Sequence, residues 1–218
     1  MNLAGLRDRV GYQAGLLGAV ALAATAALGL ANQHTQDPIA AAQARDLEDS
    51  LRQVLPAERF DNDLLRDALD VKHGERSTLV YRAALHGEYA AAVFRVSGRG
   101  YAGPIDLVMA VDKGGTVLGV RVTRHTETPG LGDKIEAAKD DWVRDFEGKS
   151  LERPAPARWQ VKKDGGDFDQ FAGATITPRA VVKAVREGLE FYAAHRDEIE
   201  TGRPAAAARF DFVPVGRV

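Results

Sequence analysis

From Val10 to Ala31 the chain reads VGYQAGLLGAVALAATAALGLA, 22 residues without a charge. At about 1.5 Å per helical residue this run reaches about 33 Å, enough to cross a hydrocarbon core of about 30 Å. Arg7 and Arg9 precede it, and His34 and Asp37 follow. The positive-inside bias therefore puts the N-terminus in the cytoplasm and residues 32–218 on the far side. A cleaved signal peptide is the competing reading, since Gly29-Leu30-Ala31 has the small-x-small pattern of a cleavage site. The run exceeds the usual signal core of roughly 7–15 residues, which favours a retained anchor. Gly11, Gly15 and Ala19 fall at four-residue steps, a spacing that lets a second membrane helix approach closely but is also common in any Gly/Ala-rich span.

The remaining length suits one domain with its own core. With 29 Lys+Arg against 31 Asp+Glu, no strong field draws the chain to nucleic acid, which is not expected as a partner. Cysteine is absent. Disulfides, a thiol nucleophile and thiolate-held iron–sulfur or zinc sites are thereby excluded. The five histidines show no metal-ligand spacing, so no metal is expected.

Beyond the apolar run, Leu47, Leu51, Val54 and Leu55 share one helical face, and Leu64, Leu65 and Leu69 another beyond Pro56. Residues 38–70 are thus expected to form two short helices. Strand patterns follow at Ser77 to Leu85, Glu88 to Val96, Ile105 to Val111 and Val117 to Thr123, the last two joined through Asp112-Lys113-Gly114-Gly115, which has hairpin chemistry. A helix around Lys134 to Phe146 and a strand at Arg158 to Lys163 are expected next. A helix of about four to five turns then begins at Thr177-Pro178, with Thr177 as N-cap and Pro178 at the first helical position. The fold class is α+β: one transmembrane helix, then an antiparallel sheet with flanking helices. The expected division is a cytoplasmic N-terminus at 1–9, the span at 10–31, a helical membrane-proximal segment at 32–75, the domain at 76–200 and a tail at 201–218.

Two Gly-rich segments invite a cofactor. Gly98-Arg99-Gly100-Tyr101-Ala102-Gly103 matches GxGxxG, but Pro104 and a strand follow where a dinucleotide fingerprint must open a helix. A strand connection is the better account. In Asp169-Gln170-Phe171-Ala172-Gly173-Ala174-Thr175-Ile176-Thr177-Pro178 the context fits. Small residues permit close approach, and Thr175 stands beside a helix start, where the dipole and unpaired N–H groups favour a phosphate. On these grounds alone an ordinary strand-to-helix turn fits equally well.

The pattern Asp169-x-x-Ala172-Gly173-Ala174-Thr175-x-Thr177 resembles the D-x-x-S/T-G-A-T-x-S/T flavinylation motif of the FMN-binding domain family. With the N-terminal anchor, Leu55-Pro56 to Asp61-Asn62-Asp63, Gly100 to Ile105 and Glu127-Thr128-Pro129-Gly130-Leu131-Gly132, the whole chain resembles the G subunits of Rnf electron transport complexes, relatives of the C subunits of sodium-pumping NADH:quinone reductases. Ala172 departs from the pattern, where Ser or Thr is usual, and removes a hydroxyl that could bond the cofactor.

The resemblance implies FMN held covalently as a phosphoryl group on Thr175, placed there by a separate flavin transferase, with Gly173, Ala174, Ile176 and Thr177 around it. It implies no catalytic residue: the chain is an electron carrier within a translocase, not an enzyme on its own. Glu127, Thr128, Gly130, Leu131 and Gly132 would lie against the ring, with backbone N–H groups presented to it. Lys134 is either a counter-charge to reduced flavin or a solvated lysine, and the same choice applies to Lys162 and Lys163 near the phosphate; His125 is placed to face the ring. Implied partners are membrane lipid and the other subunits of an NADH- and ferredoxin-linked, ion-translocating complex in a bacterial inner membrane, with the domain periplasmic. A stand-alone membrane flavoprotein reductase and a non-redox periplasmic assembly subunit are the alternatives.

Overall fold

The computed structural model describes residues 10–74 and 76–202. The expectations for residues 1–9 and for most of the tail lie outside them. Two compact units divide the chain, 1–47 and 48–218. In the first, helix α1 (Val10–Val54) carries the apolar run Gly11–Leu30, whose side chains are exposed throughout. Thr25 Oγ1 donates to the Ala21 carbonyl at 2.8 Å, so this hydroxyl is bonded inside the helix, as a hydrocarbon solvent requires.

The second unit begins with the last turns of α1, where Leu51, Val54 and Leu55 are buried as the periodicity predicts. The second helix expected before residue 70 does not form. A short 3-10 turn, Ala57–Arg59, leads instead to a strand, β1 (Ala68–His73). Leucines spaced for a helix at 64, 65 and 69 are used differently: Leu64 is buried in the turn before β1, and Leu69 packs from the strand. Asn62 prepares the pairing, its Oδ1 accepting the Ala84 N–H at 2.9 Å and its Nδ2 donating to the Arg82 carbonyl at 2.9 Å.

Strands β2 (Arg76–Leu85), β3 (Glu88–Arg99), β4 (Pro104–Asp112) and β5 (Val117–Arg124) form at the four expected runs. Together they make a five-stranded antiparallel meander in sequence order. At the β4–β5 turn Asp112 Oδ1 accepts the Thr116 N–H at 2.8 Å, and Gly115 takes a positive φ. Helix α2 (Ile176–Thr201) lies across the sheet and buries Val181, Val185, Leu189 and Tyr192 against Phe94, Leu107 and Met109. It is longer than the sequence pattern suggests, continuing through a polar stretch to a C-terminus clamped by Arg82. Arg82 Nη1 donates to the Gly202 carbonyl at 2.9 Å and Nη2 to the Glu200 carbonyl at 3.0 Å.

Between β5 and α2 the backbone is irregular. The expected helix at Lys134 to Phe146 resolves into 3-10 turns, Asp133–Ile135 and Asp141–Phe146, because Asp140 stops and restarts the chain by accepting the Trp142 N–H at 2.9 Å. The expected strand at Arg158 to Lys163 is only a bridge between Val161 and Phe168. A cluster of Trp142, Phe146, Trp159, Phe168 and Phe171 substitutes for regular structure, with neighbouring ring centroids about 5 Å apart.

Gly119 on β5 marks where the end of α1 meets the sheet. A Cβ there would lie 2.6 Å from the Val54 carbonyl oxygen and 2.9 Å from Val54 Cα, both backbone atoms that cannot yield. Gly119→Ala is expected to destabilise the domain by about 1–3 kcal/mol, the usual cost of overpacking. Denaturant titration checks this, and an unchanged midpoint would show that the last turn of α1 moves aside freely.

Candidate functional site

Helix α2 starts at Ile176, two residues earlier than the sequence suggests, and Thr175 rather than Thr177 holds the N-cap position. The displacement has a physical cause. Thr177 is 1% exposed and its hydroxyl turns inward to donate to Glu127 Oε2, so it is not available to cap. Thr175 has αR backbone geometry, makes no side-chain capping bond and is half-buried. The turn before it is closed by the Ala174 N–H to the Phe171 carbonyl, 3.2 Å, with Gly173 at φ +80°. Trp142 Nε1–H holds its approach by donating to the Asp169 carbonyl at 2.9 Å.

Glu127 is 5% exposed and ties three segments together. Besides the Thr177 hydroxyl, its carboxylate accepts the Ala102 N–H at 3.0 Å and the Tyr101 N–H at 3.3 Å. The GxGxxG look-alike is therefore the β3–β4 hairpin, as expected from Pro104, but it is also part of this site. Gly132 is required where the segments cross: a Cβ on it would lie 2.9 Å from Glu127 Cβ and 3.0 Å from Thr177 Oγ1.

These segments enclose a cleft of about 320 Å³, lined by Tyr101, Glu127, Thr128, Leu131, Gly132 and residues 173–177. Among the expected site residues, Gly173, Ala174, Thr175, Ile176, Thr177, Glu127, Thr128, Leu131 and Gly132 are brought together here, while Gly130 and Lys134 lie outside the lining. Tyr101 joins the lining without being among the expected residues. The backbone N–H groups of Gly130, Leu131 and Gly132 are not presented to the cleft as anticipated. Those of Leu131 and Gly132 donate to the Thr128 carbonyl at 3.1 and 3.0 Å, and that of Gly130 bonds the Asp133 carboxylate. The loop offers side chains to the cleft instead.

His125 does not face the cleft either. Its Nδ1 accepts the Glu127 N–H at 3.1 Å, which leaves Nε2 to donate to Glu136 Oε1 at 2.8 Å. Lys162 pairs with Asp169 at 2.7 Å, and the Lys163 N–H with Gln170. Behind the loop, the Gly130 N–H and the Lys139 ammonium hold the Asp133 carboxyl below the usual carboxylate range, while Lys139 and His125 do the same for Glu136. Because both carboxyls are depressed in the folded state, their stabilisation is complete above their unfolded values near about pH 4 and is lost as pH falls through the folded ones. Amide exchange, corrected for intrinsic rates, is expected to show Leu131 and Gly132 losing protection in acid before strands β3 and β4. Equal loss in loop and sheet would contradict this anchoring.

The profile of the FMN-binding domain matches residues 100–190, which contain all the cleft residues, and that of the RnfG N-terminal region matches residues 7–54. The C subunit of the Na+-translocating NADH-quinone reductase from Parabacteroides distasonis superposes with a TM-score of 0.43 at 25% identity, over 59% of this chain and 65% of that one. The G subunit of the ion-translocating oxidoreductase complex from Cereibacter sphaeroides (strain ATCC 17029 / ATH 2.4.9) is 50% identical over 84% of both chains. This chain belongs to that G-subunit family. The corresponding G subunit from Stutzerimonas stutzeri is also 50% identical, over 86% of this chain and 82% of its own.

As a member of the G-subunit family the chain is membrane-anchored and carries an FMN-binding domain. The cleft residues fit that group. Ala174, Leu131, Ile176 and Tyr101 give the cleft apolar walls, and a Cβ at Gly173 would lie 3.5 Å from Leu131 Cδ2, so both segments reach across it. The volume is at the small end of the roughly 300–1,000 Å³ usual for ligand pockets. Glu127 and Thr177 are satisfied by one another, leaving the Thr175 hydroxyl as the polar feature at the helix start.

Proposed function

We propose that this chain is an electron-transfer subunit of an ion-translocating oxidoreductase complex and carries FMN joined covalently through its phosphate to the Thr175 hydroxyl. The observation that supports this most is the position of Thr175: the N-cap of a 26-residue helix, with no capping bond of its own, at the edge of an apolar cleft. A phosphoryl group on that oxygen would stand at the positive end of the helix dipole, beside the first-turn N–H groups. Bound FMN supplies one- and two-electron redox chemistry. Leu131, Ile176 and Ala174 present apolar surface to the site, Thr128 offers a hydroxyl, and Glu127 fixes the three segments around Thr175. Covalent attachment would make retention independent of affinity.

The anchor is read as retained because α1 continues without interruption from the apolar run past Gly29-Leu30-Ala31 to Val54. With Arg7 and Arg9 before it, the domain belongs on the periplasmic side of a bacterial inner membrane. Its partners would be the other subunits of the complex, the surrounding lipid and the flavin transferase that loads Thr175. The test is intact mass of the natively purified chain after denaturation, with mapping of the modified peptide. One FMN increment on the peptide containing Thr175 is expected. An unmodified mass from a host with an active transferase would refute the assignment.

A further inference from the structure

Outside the apolar run of α1, three large hydrophobic side chains are exposed among the described residues: Tyr101 at 72%, Ile176 at 47% and Leu131 at 43%. All three line the same cleft. Each comes from a different segment held by Glu127: Tyr101 from the β3–β4 hairpin, Leu131 from the loop after β5, and Ile176 from the first position of α2. Singly exposed apolar residues need no explanation, but three converging on one concavity mark a surface shaped for an apolar ligand face. The Tyr101 N–H is bonded to Glu127, which ties the residue's backbone while the ring remains in solvent. An aromatic ring fixed at its root and open at its face is suited to stack on a planar ligand.

We infer that Tyr101 is a positioning residue of this site: the third wall, whose ring would stack on the flavin that Thr175 carries. The inference rests on the FMN reading above. Leu131 and Ile176 supply aliphatic contact, and Tyr101 alone supplies a π-face. A phenol in contact with a flavin also quenches its fluorescence, by donating an electron to the excited ring and recovering it on return. No net oxidation results, so no other reactant is needed.

The experiment compares full-length wild type, Tyr101→Ala and Tyr101→Trp, purified from a flavin-loading host, with intact mass taken on each. Tyr101 is largely exposed, so its removal leaves the core in place. Fluorescence per bound flavin is expected to rise in Tyr101→Ala and to stay low in Tyr101→Trp, which keeps a stacking, electron-donating ring. The fraction of flavin docked in the cleft should drop so that the docked-to-undocked ratio falls about 2- to 12-fold in Tyr101→Ala, equivalent to the ~0.5–1.5 kcal/mol of an aromatic contact. Fluorescence lifetimes read that fraction directly. Lifetimes identical in wild type and Tyr101→Ala, with the FMN increment present in both, would overturn the role of Tyr101 and leave the FMN reading intact. A wild-type chain without the increment would remove the ligand, and this assignment with it.

Discussion

Thr175→Ala is expected to yield a colourless protein with no FMN increment in its intact mass, while its stability stays near that of wild type. The two halves of this result separate chemistry from structure. Thr175 makes no capping bond, so deleting its hydroxyl removes no interaction that holds α2. The helix start is secured elsewhere, by the buried Thr177 and its bond to Glu127. The acceptor oxygen, in contrast, has no substitute at that position. Thr175→Ser restores an oxygen, and partial restoration of the increment is the expected outcome. A flavin that stays bound to Thr175→Ala through acid precipitation would place the attachment on another residue.

Glu127→Ala carries the second largest expected effect, and it acts on structure. Truncation strips the acceptor from the buried Thr177 hydroxyl and from two part-buried backbone N–H groups. A buried donor left unpaired costs about 1–3 kcal/mol and the two part-buried amides cost less each, so a total of about 2–5 kcal/mol is expected. Glu127→Gln keeps an acceptor oxygen and the side-chain volume and should cost about 1 kcal/mol. Trp142 and Trp159 both sit in the aromatic cluster beside the Thr175 turn, so guanidinium titration followed by their fluorescence reports on this region. Coincident midpoints for wild type and Glu127→Ala would mean that the three segments hold together without the carboxylate.

The sheet is readable in the sequence because its strands are apolar runs bounded by turn chemistry, as at Asp112 to Gly115. Strand β1 is not, since Leu64, Leu65 and Leu69 have the spacing of a helix face, and only Asn62 and β2 decide otherwise. The segment from Lys134 to Lys163 misleads for the opposite reason. Its apolar residues serve an aromatic cluster rather than one face of a regular element, and such a cluster has no period to detect. Within the site, the Gly-Ala-Thr turn is legible through its motif. The partner of Thr177 is not, because nothing in a linear sequence tells a buried carboxylate from a solvated one. Tyr101 is concealed inside a pattern correctly rejected as a dinucleotide fingerprint, and the signal that could have found it is the Gly100 to Ile105 segment taken with the other two.

Every pairing in the sheet is between neighbours along the chain, and the last of its residues is Arg124. Glu127 follows almost at once, but Thr177 is 50 positions further on. A chain made from its N-terminus therefore has the whole sheet in hand, with one carboxylate waiting at its rim, before the segment that closes the cleft has been synthesised. The acceptor residue is among the last parts of the domain to arrive, on a platform whose other two walls are already complete.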